Sequence, residues 1–194
     1  MRVSNELLGL RDRKKLQTRD AIRREAMRLI EVNGYASTTV EQIAEAAEVS
    51  PSTFFRSFPS KESVLLADDL DPVLLDALEH APPDHSPIET FRAAFQIALE
   101  TMSEDQWEFE RTRQRLIFSI PELKAAQYDE YYRTIRTTAQ ALGRRLKRDP
   151  NDFEVRAFVG AVVGTMMGVI VEAPMAPETV YRALDFLEAG MPLT

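Results

Sequence analysis

Apolar residues recur along this chain at intervals of three and four, and no run alternates with period two. That spacing predicts helices throughout and an all-α fold, because only a repeat near 3.6 places such positions on one face. A first helix is expected over about 16–33. Ile22, Ala26, Leu29 and Ile30 form its apolar stripe, Arg19, Arg23 and Arg28 lie on its outer faces, and Gly34 stops it. Thr38 or Thr39 caps a second helix that turns Val40, Ile43, Ala44 and Ala47 inward. After a tight turn around Glu48 and Val49, Ser50 caps a short third helix. Pro51 takes its first position, where a missing N–H costs least. Pro59 interrupts, and Ser60 caps a fourth helix that runs through Val64, Leu65 and Leu66 toward Leu78.

The prolines of residues 81–87 block helix continuation and mark a linker. Beyond it, helices are expected at roughly 88–102, 105–119, 122–148, 153–173 and 176–189, broken at Pro121, Pro150 and Pro174–Pro177. No internal repeat and no low-complexity tract is visible. The organisation expected is a three-helix head with a helix-turn-helix over residues 1–62 (the motif at about 39–58), followed by a helical bundle over residues 63–194.

Charge sharpens that division. The net charge of −7 argues against a general polyanion binder. Residues 1–61 nevertheless carry 11 basic and 8 acidic side chains, and the remainder 13 and 23. Between Arg11 and Arg28 there are 8 basic residues against 3 acidic. A phosphate-facing module needs such an excess, although a solvated helix face would carry the same charges. The chain has no cysteine, which excludes disulfides and thiolate metal sites and fits a reducing cytoplasm. The N-terminus lacks a signal-peptide pattern. The longest apolar run, Ala157 to Val171, spans 15 residues and is expected as a buried helix rather than a membrane span.

Two short helices joined by a tight turn, the second beginning with small polar residues, describe a helix-turn-helix. In that motif the second helix enters the major groove, here presenting Ser50, Pro51, Ser52, Thr53 and Arg56. Small side chains let the backbone approach, and Thr53 offers a hydroxyl and a methyl to base edges. Thr39 and Lys61, at the starts of the second and fourth helices, are candidates for phosphate. Phe54 and Phe58 are expected to pin the recognition helix onto the first two.

The residues Thr38-Thr39-Val40-Glu41-Gln42-Ile43-Ala44, then Ala47-Glu48-Val49-Ser50, then Thr53 through Glu62 resemble the DNA-binding head of TetR-family regulators. The likeness runs from about Leu16 to Leu66 and includes Gly34-Tyr35. It implies an all-α homodimeric repressor that binds a palindromic operator and releases it when a small molecule enters the C-terminal domain. One position departs from the pattern: Phe55 stands where the family usually has a tyrosine. It cannot make that residue's phosphate hydrogen bond, a cost of about 1 kcal/mol. Gly9 through Lys15 and the Arg-rich helix ending near Pro121-Glu122-Leu123 are similar to actinobacterial-type members that bind acyl-CoA-like ligands.

In the C-terminal half, Trp107, Arg111, Arg115 and Phe118 can share a helix face and grip an acidic amphipathic effector, with Tyr128 and Tyr132 along the same cavity. A salt-bridged surface helix explains the same spacing. Gly160, Gly164 and Gly168 line one face, and with Val180, Leu184 and Leu187 they are candidates for a dimer interface or, alternatively, a tight crossing within one chain. Phe91, Phe95 and Met102 are expected in the core. Glu104, Asp105, Glu108 and Glu110 are expected as a solvated acidic cluster at a helix start. The two histidines, His80 and His85, flank the linker without a third ligand, so no metal is expected. No nucleophile elbow, phosphate-cradling loop or HExxH is present, so neither catalysis nor a cofactor is expected.

Overall fold

The computed structural model describes residues 9–66, 70–100, 102–170 and 176–193. Among them are the helices α1 (Leu10–Asn33), α2 (Val40–Ala46), α3 (Pro51–Ser57), α4 (Lys61–Leu66) and α5 (Leu70–His80). These are followed by α6 (Pro87–Glu100), α7 (Glu104–Ser119), α8 (Pro121–Leu146), α9 (Phe153–Ile170) and α10 (Pro177–Glu188), with no strand among the described residues. The fourth helix expected from sequence is described as α4 and α5, and residues 67–69 between them lie outside the described residues. The expected end of α9 at 171–173 lies outside them too.

α1 begins six residues earlier than the apolar stripe predicts. Residues 10–15 contain no proline or glycine and are mostly good helix formers, so the helix continues past its last apolar position. Periodicity cannot see a turn that buries nothing.

The chain divides into two compact units, residues 1–68 with 115–126, and residues 69–114 with 127–194. The first unit is built on Ile22, Ala26, Ile43, Ala44, Phe54, Phe58 and Val64, which pack as one cluster. Phe54 and Phe58 are almost wholly buried and their rings lie 6.2 Å apart, as expected of residues that fasten α3. Two of the three arginines assigned to outer faces of α1 are not there: Arg23 is buried and Arg19 half-buried, while Arg28 is exposed and paired with Glu25 at 2.7 Å.

The second unit has a larger core, drawn from Leu78, Phe91, Leu99, Trp107, Leu142, Val159 and others. Phe95 and Met102 pack against it. Val180 and Leu184, expected at a dimer interface, are buried in this chain's own core, Leu184 with no exposure at all. Leu187 is half-buried against the same cluster.

Glu110 also departs from the expected solvated cluster. It is buried beside Arg113, whose Nε donates to its carboxylate at 2.6 Å. One helical turn brings the two together, and each would be costly to bury alone.

α9 is the most apolar helix and, by length and composition only, long enough to cross a membrane, yet only 22% of it is buried within the chain. A Cβ added at Gly164 would stand 3.1 Å from the Tyr131 hydroxyl, whereas at Gly160 and Gly168 it would meet nothing within 4 Å. Packing inside the chain therefore accounts for one of the three glycines.

Replacing Leu184 with Ala is expected to destabilise the second unit by about 2–5 kcal/mol, because the cavity sits in a closed core. Urea unfolding followed by fluorescence of Trp107, which shares that cluster, measures it. The effect should not depend on protein concentration, whereas a residue at an interface between chains would show such a dependence.

Candidate nucleic-acid interface

The turn between α2 and α3 is closed by backbone bonds. Glu48 adopts a left-handed conformation (φ 54), and the Val49 N–H donates to the Ala44 carbonyl at 2.9 Å while the Glu48 N–H donates to Glu45 at 3.0 Å. This is the double bond of a Schellman motif, and it sets the tight corner without a glycine. Thr39 opens α2 with a reciprocal capping box. Its hydroxyl accepts from the Gln42 N–H at 3.2 Å, and the Gln42 side chain accepts from the Thr39 N–H at 2.9 Å.

α3 starts at Ser50, whose side chain accepts from the Thr53 N–H at 3.2 Å. The Ser50 hydroxyl also lies 2.9 Å from that of Ser52 and 3.0 Å from that of Thr53, and Arg56 Nη2 donates to Thr53 Oγ1 at 3.1 Å. Ser50, Pro51, Ser52 and Arg56 are exposed and Thr53 is half-buried. The structure therefore brings the expected base-reading side chains together as one small hydroxyl cluster with a guanidinium at its edge. Phe55 is 53% exposed, its ring edge-on to Phe54 at 5.5 Å, and so presents an apolar face beside them.

Two further side chains make long-range ties in this unit, one of them to α3, and neither is evident from local spacing. Arg19 of α1 donates to the Ser57 carbonyl at 2.6 Å, capping the C-terminal end of α3, and its guanidinium lies 4.3 Å from the Phe58 ring centroid. Lys61 donates to the carbonyls of Tyr35 and Thr38 at 2.7 and 2.9 Å and sits 4.0 Å from the Tyr35 ring centroid. Expected as a phosphate ligand, Lys61 commits two of its three hydrogens to fastening the α1–α2 loop to α4, which leaves one.

The Tyr35 hydroxyl donates to Glu62 at 2.5 Å. Burial, then the Glu62 bond, raises the Tyr35 pKa beyond the ordinary tyrosine range. The same bond, ahead of other causes, holds the Glu62 carboxyl below its usual range.

The expected effector residues are dispersed. Trp107 lies in the core, and Arg111 pairs with Glu104 and Glu108 of its own helix at 3.2 and 2.9 Å. Arg115 is exposed and Phe118 half-buried. Tyr128 and Tyr132 are 62% and 61% exposed, away from the core that holds Trp107. Sequence reasoning passed over the buried Glu110–Arg113 pair. The i,i+3 spacing of opposite charges was the available signal, but a surface pair shows it equally.

A capped two-helix corner, a short helix with an exposed hydroxyl and guanidinium face, and a core beneath it define a helix-turn-helix transcription regulator. Residues 22–67 match the family described as bacterial regulatory proteins, tetR family, and residues 85–192 match the MftR C-terminal domain. The chain belongs to the TetR family of regulators: it is a DNA-binding transcriptional regulator and not an enzyme. It is 46% identical over 102 residues to the HTH-type transcriptional regulator TcmR of Streptomyces glaucescens, across 52% of this chain and 45% of TcmR. It is 28% identical over 177 residues to MftR of Mycobacterium tuberculosis, named as a mycofactocin biosynthesis transcriptional regulator, across 86% of this chain and 87% of that one. The solved SmeT–triclosan complex shares the fold, with a TM-score of 0.57 at 22% identity over 89% of this chain and 90% of that one.

In a pH titration of absorbance near 295 nm, one tyrosine step should arrive above the ordinary range, and Tyr35→Phe should remove it. The folded head binds that proton more tightly than the unfolded chain does. Its stabilisation is thus complete below the ordinary tyrosine pKa and lost as pH rises through the folded value. Persistence of the late step in the variant would assign it to another residue.

Proposed function

We propose that the chain works as a homodimer on a palindromic operator, as a repressor that leaves DNA when an acidic, amphipathic small molecule binds the C-terminal domain. The observation that carries the DNA reading is the face of α3: Ser50, Ser52, Thr53, Phe55 and Arg56 stand together on a helix whose opposite side is locked by Phe54 and Phe58. Thr53 and Ser52 read base edges, Arg56 and the exposed Arg13, Lys14 and Lys15 of α1 meet phosphates, and Thr39 adds a hydroxyl contact. Two such helices across a two-fold axis require half-sites on one side of the duplex, spaced near a multiple of a helical turn.

The dimer reading rests on α9. A helix this apolar and this exposed, with open space beside Gly160 and Gly168, needs a cover, and a second copy supplies one of matching shape. The effector reading is supported by the Glu110–Arg113 pair, buried in the unit that also holds Trp107, where an acid group would have to replace Glu110 as the partner of Arg113. An acyl-CoA-like molecule has the required combination of acid group and apolar tail. Occupancy would shift the population toward a separation of recognition helices that no longer fits the operator.

Thr53→Ala is expected to weaken operator binding by roughly 1–3 kcal/mol while leaving affinity for random duplex nearly unchanged. Fluorescence anisotropy on both duplexes reads the difference, and equal weakening would remove Thr53 from base reading. Exchanging Arg13, Lys14 and Lys15 for Gln should act on both duplexes alike, flattening the salt dependence by about 0.9 in slope for each phosphate no longer neutralised.

Gly160→Leu and Gly168→Leu test the dimer separately. Each replaces a helix-interior glycine where space is open, so the lone chain gains up to about 1 kcal/mol of helix propensity. The bulk should nonetheless weaken self-association at least tenfold in analytical ultracentrifugation. Unchanged association would place the interface elsewhere.

A further inference from the structure

Six arginines of the second unit, Arg92, Arg111, Arg113, Arg133, Arg144 and Arg148, each hold a carboxylate of that unit. Of the other four, Arg145 donates to the Pro82 and His85 carbonyls, and Arg136, Arg156 and Arg182 hold no carboxylate among the described residues, although the C-terminal part of the chain has a large excess of acid. Arg136 and Arg156 line one cavity of about 130 Å³, formed by the second half of α8, the α8–α9 turn and the first turns of α9. Tyr132 and Asn151 line it as well, and Ile135 and Ala139 give it an apolar floor.

The acids nearest in sequence are already engaged. Asp152 and Glu154 grip Arg148 at 2.6 and 2.7 Å, Asp149 accepts the Asn151 N–H at 2.8 Å, and Glu130 pairs with Arg133. Two arginines without a carboxylate partner among the described residues therefore border one concave, partly apolar site with a phenol and an amide beside them.

We propose that this cavity is an anion site of the second unit, distinct from the Glu110–Arg113 pair, which takes a compact group of two or more negative charges. A phosphate monoester or a small polycarboxylate fits the chemistry. Two planar guanidinium forks bind oxygens in pairs, which a lone chloride cannot exploit. The space corresponds to a few water molecules, enough for such a group but not for a long apolar tail. The tail of a larger ligand would have to lie outside, along exposed Tyr132. Filling the site neutralises two like charges held in one cavity, so occupancy should stabilise the folded second unit.

The test uses the full chain with inorganic phosphate and with citrate, against chloride at equal ionic strength. Thermal unfolding and isothermal titration calorimetry are the readouts. The expected result is a saturable rise in Tm and one binding event per chain, for phosphate or citrate and not for chloride. Arg136→Gln and Arg156→Gln should each weaken that binding by about tenfold or more, as removal of a charge-assisted hydrogen-bonding partner does. Both side chains are exposed, so the variants should keep the wild-type circular dichroism and their Tm without anion. A shift that survives the double variant would place the anion on other cations, the basic first helix included, and overturn the assignment. Weakened self-association in these variants, with no saturable anion binding to the parent, would overturn it too, by making the two arginines contacts to a second copy.

Discussion

A seven-residue helix does not persist in water by itself, because nucleation costs more than so few backbone bonds return. Everything this protein does with DNA depends on holding α3 in place regardless. The means are visible at each end and underneath. Ser50 caps its start, Arg19 takes up the Ser57 carbonyl at its finish, and Phe54 and Phe58 sink into the cluster built by α1, α2 and α4. With the back of the helix and both ends committed, its other face is left for small polar side chains. The left-handed turn at Glu48 fixes the angle at which that face is offered. The Tyr35–Glu62 and Lys61 bonds tie the preceding loop to α4 within the same unit.

The second unit is organised by a different constraint, the distribution of charge and apolar surface over long helices. Most of its arginines are matched with carboxylates along or between helices, and one pair is drawn into the interior. α9 stands apart as the most apolar helix, with 22% of its residues fully buried in the chain and open space beside Gly160 and Gly168. The match to the MftR C-terminal domain spans this same helix, the one on which the proposed dimer rests.

The helices, the caps at Thr39 and Ser50 and the core role of Phe54 and Phe58 were legible in the amino-acid order, since each rests on spacing within one turn or two. Contacts between distant segments were not. Arg19 is separated from Ser57, and Tyr35 from Glu62, by stretches that no local periodicity spans. The early start of α1 escaped because a helix turn without apolar residues leaves no stripe. Val180 and Leu184 show the limit of assigning a face from heptad-like spacing alone. The stripe was real, but the chain's own core claimed it before any partner could. Glu110 and Arg113 likewise carried a surface-like pattern, and only burial distinguished them. Residues 115–126 group with the head, although no composition change marks that segment.

The central claim is that the exposed face of α3, presented twice by a dimer, reads a two-fold sequence against a background of phosphate attraction. Selection of bound sequences from random duplex DNA, followed by a salt titration on the enriched sequence, tests it most directly. The account predicts a palindromic consensus with half-sites about one helical turn apart or a multiple of it, and an affinity that falls steeply with salt. A folded, dimeric protein that enriches no sequence, or binds every duplex with the same affinity, would contradict it.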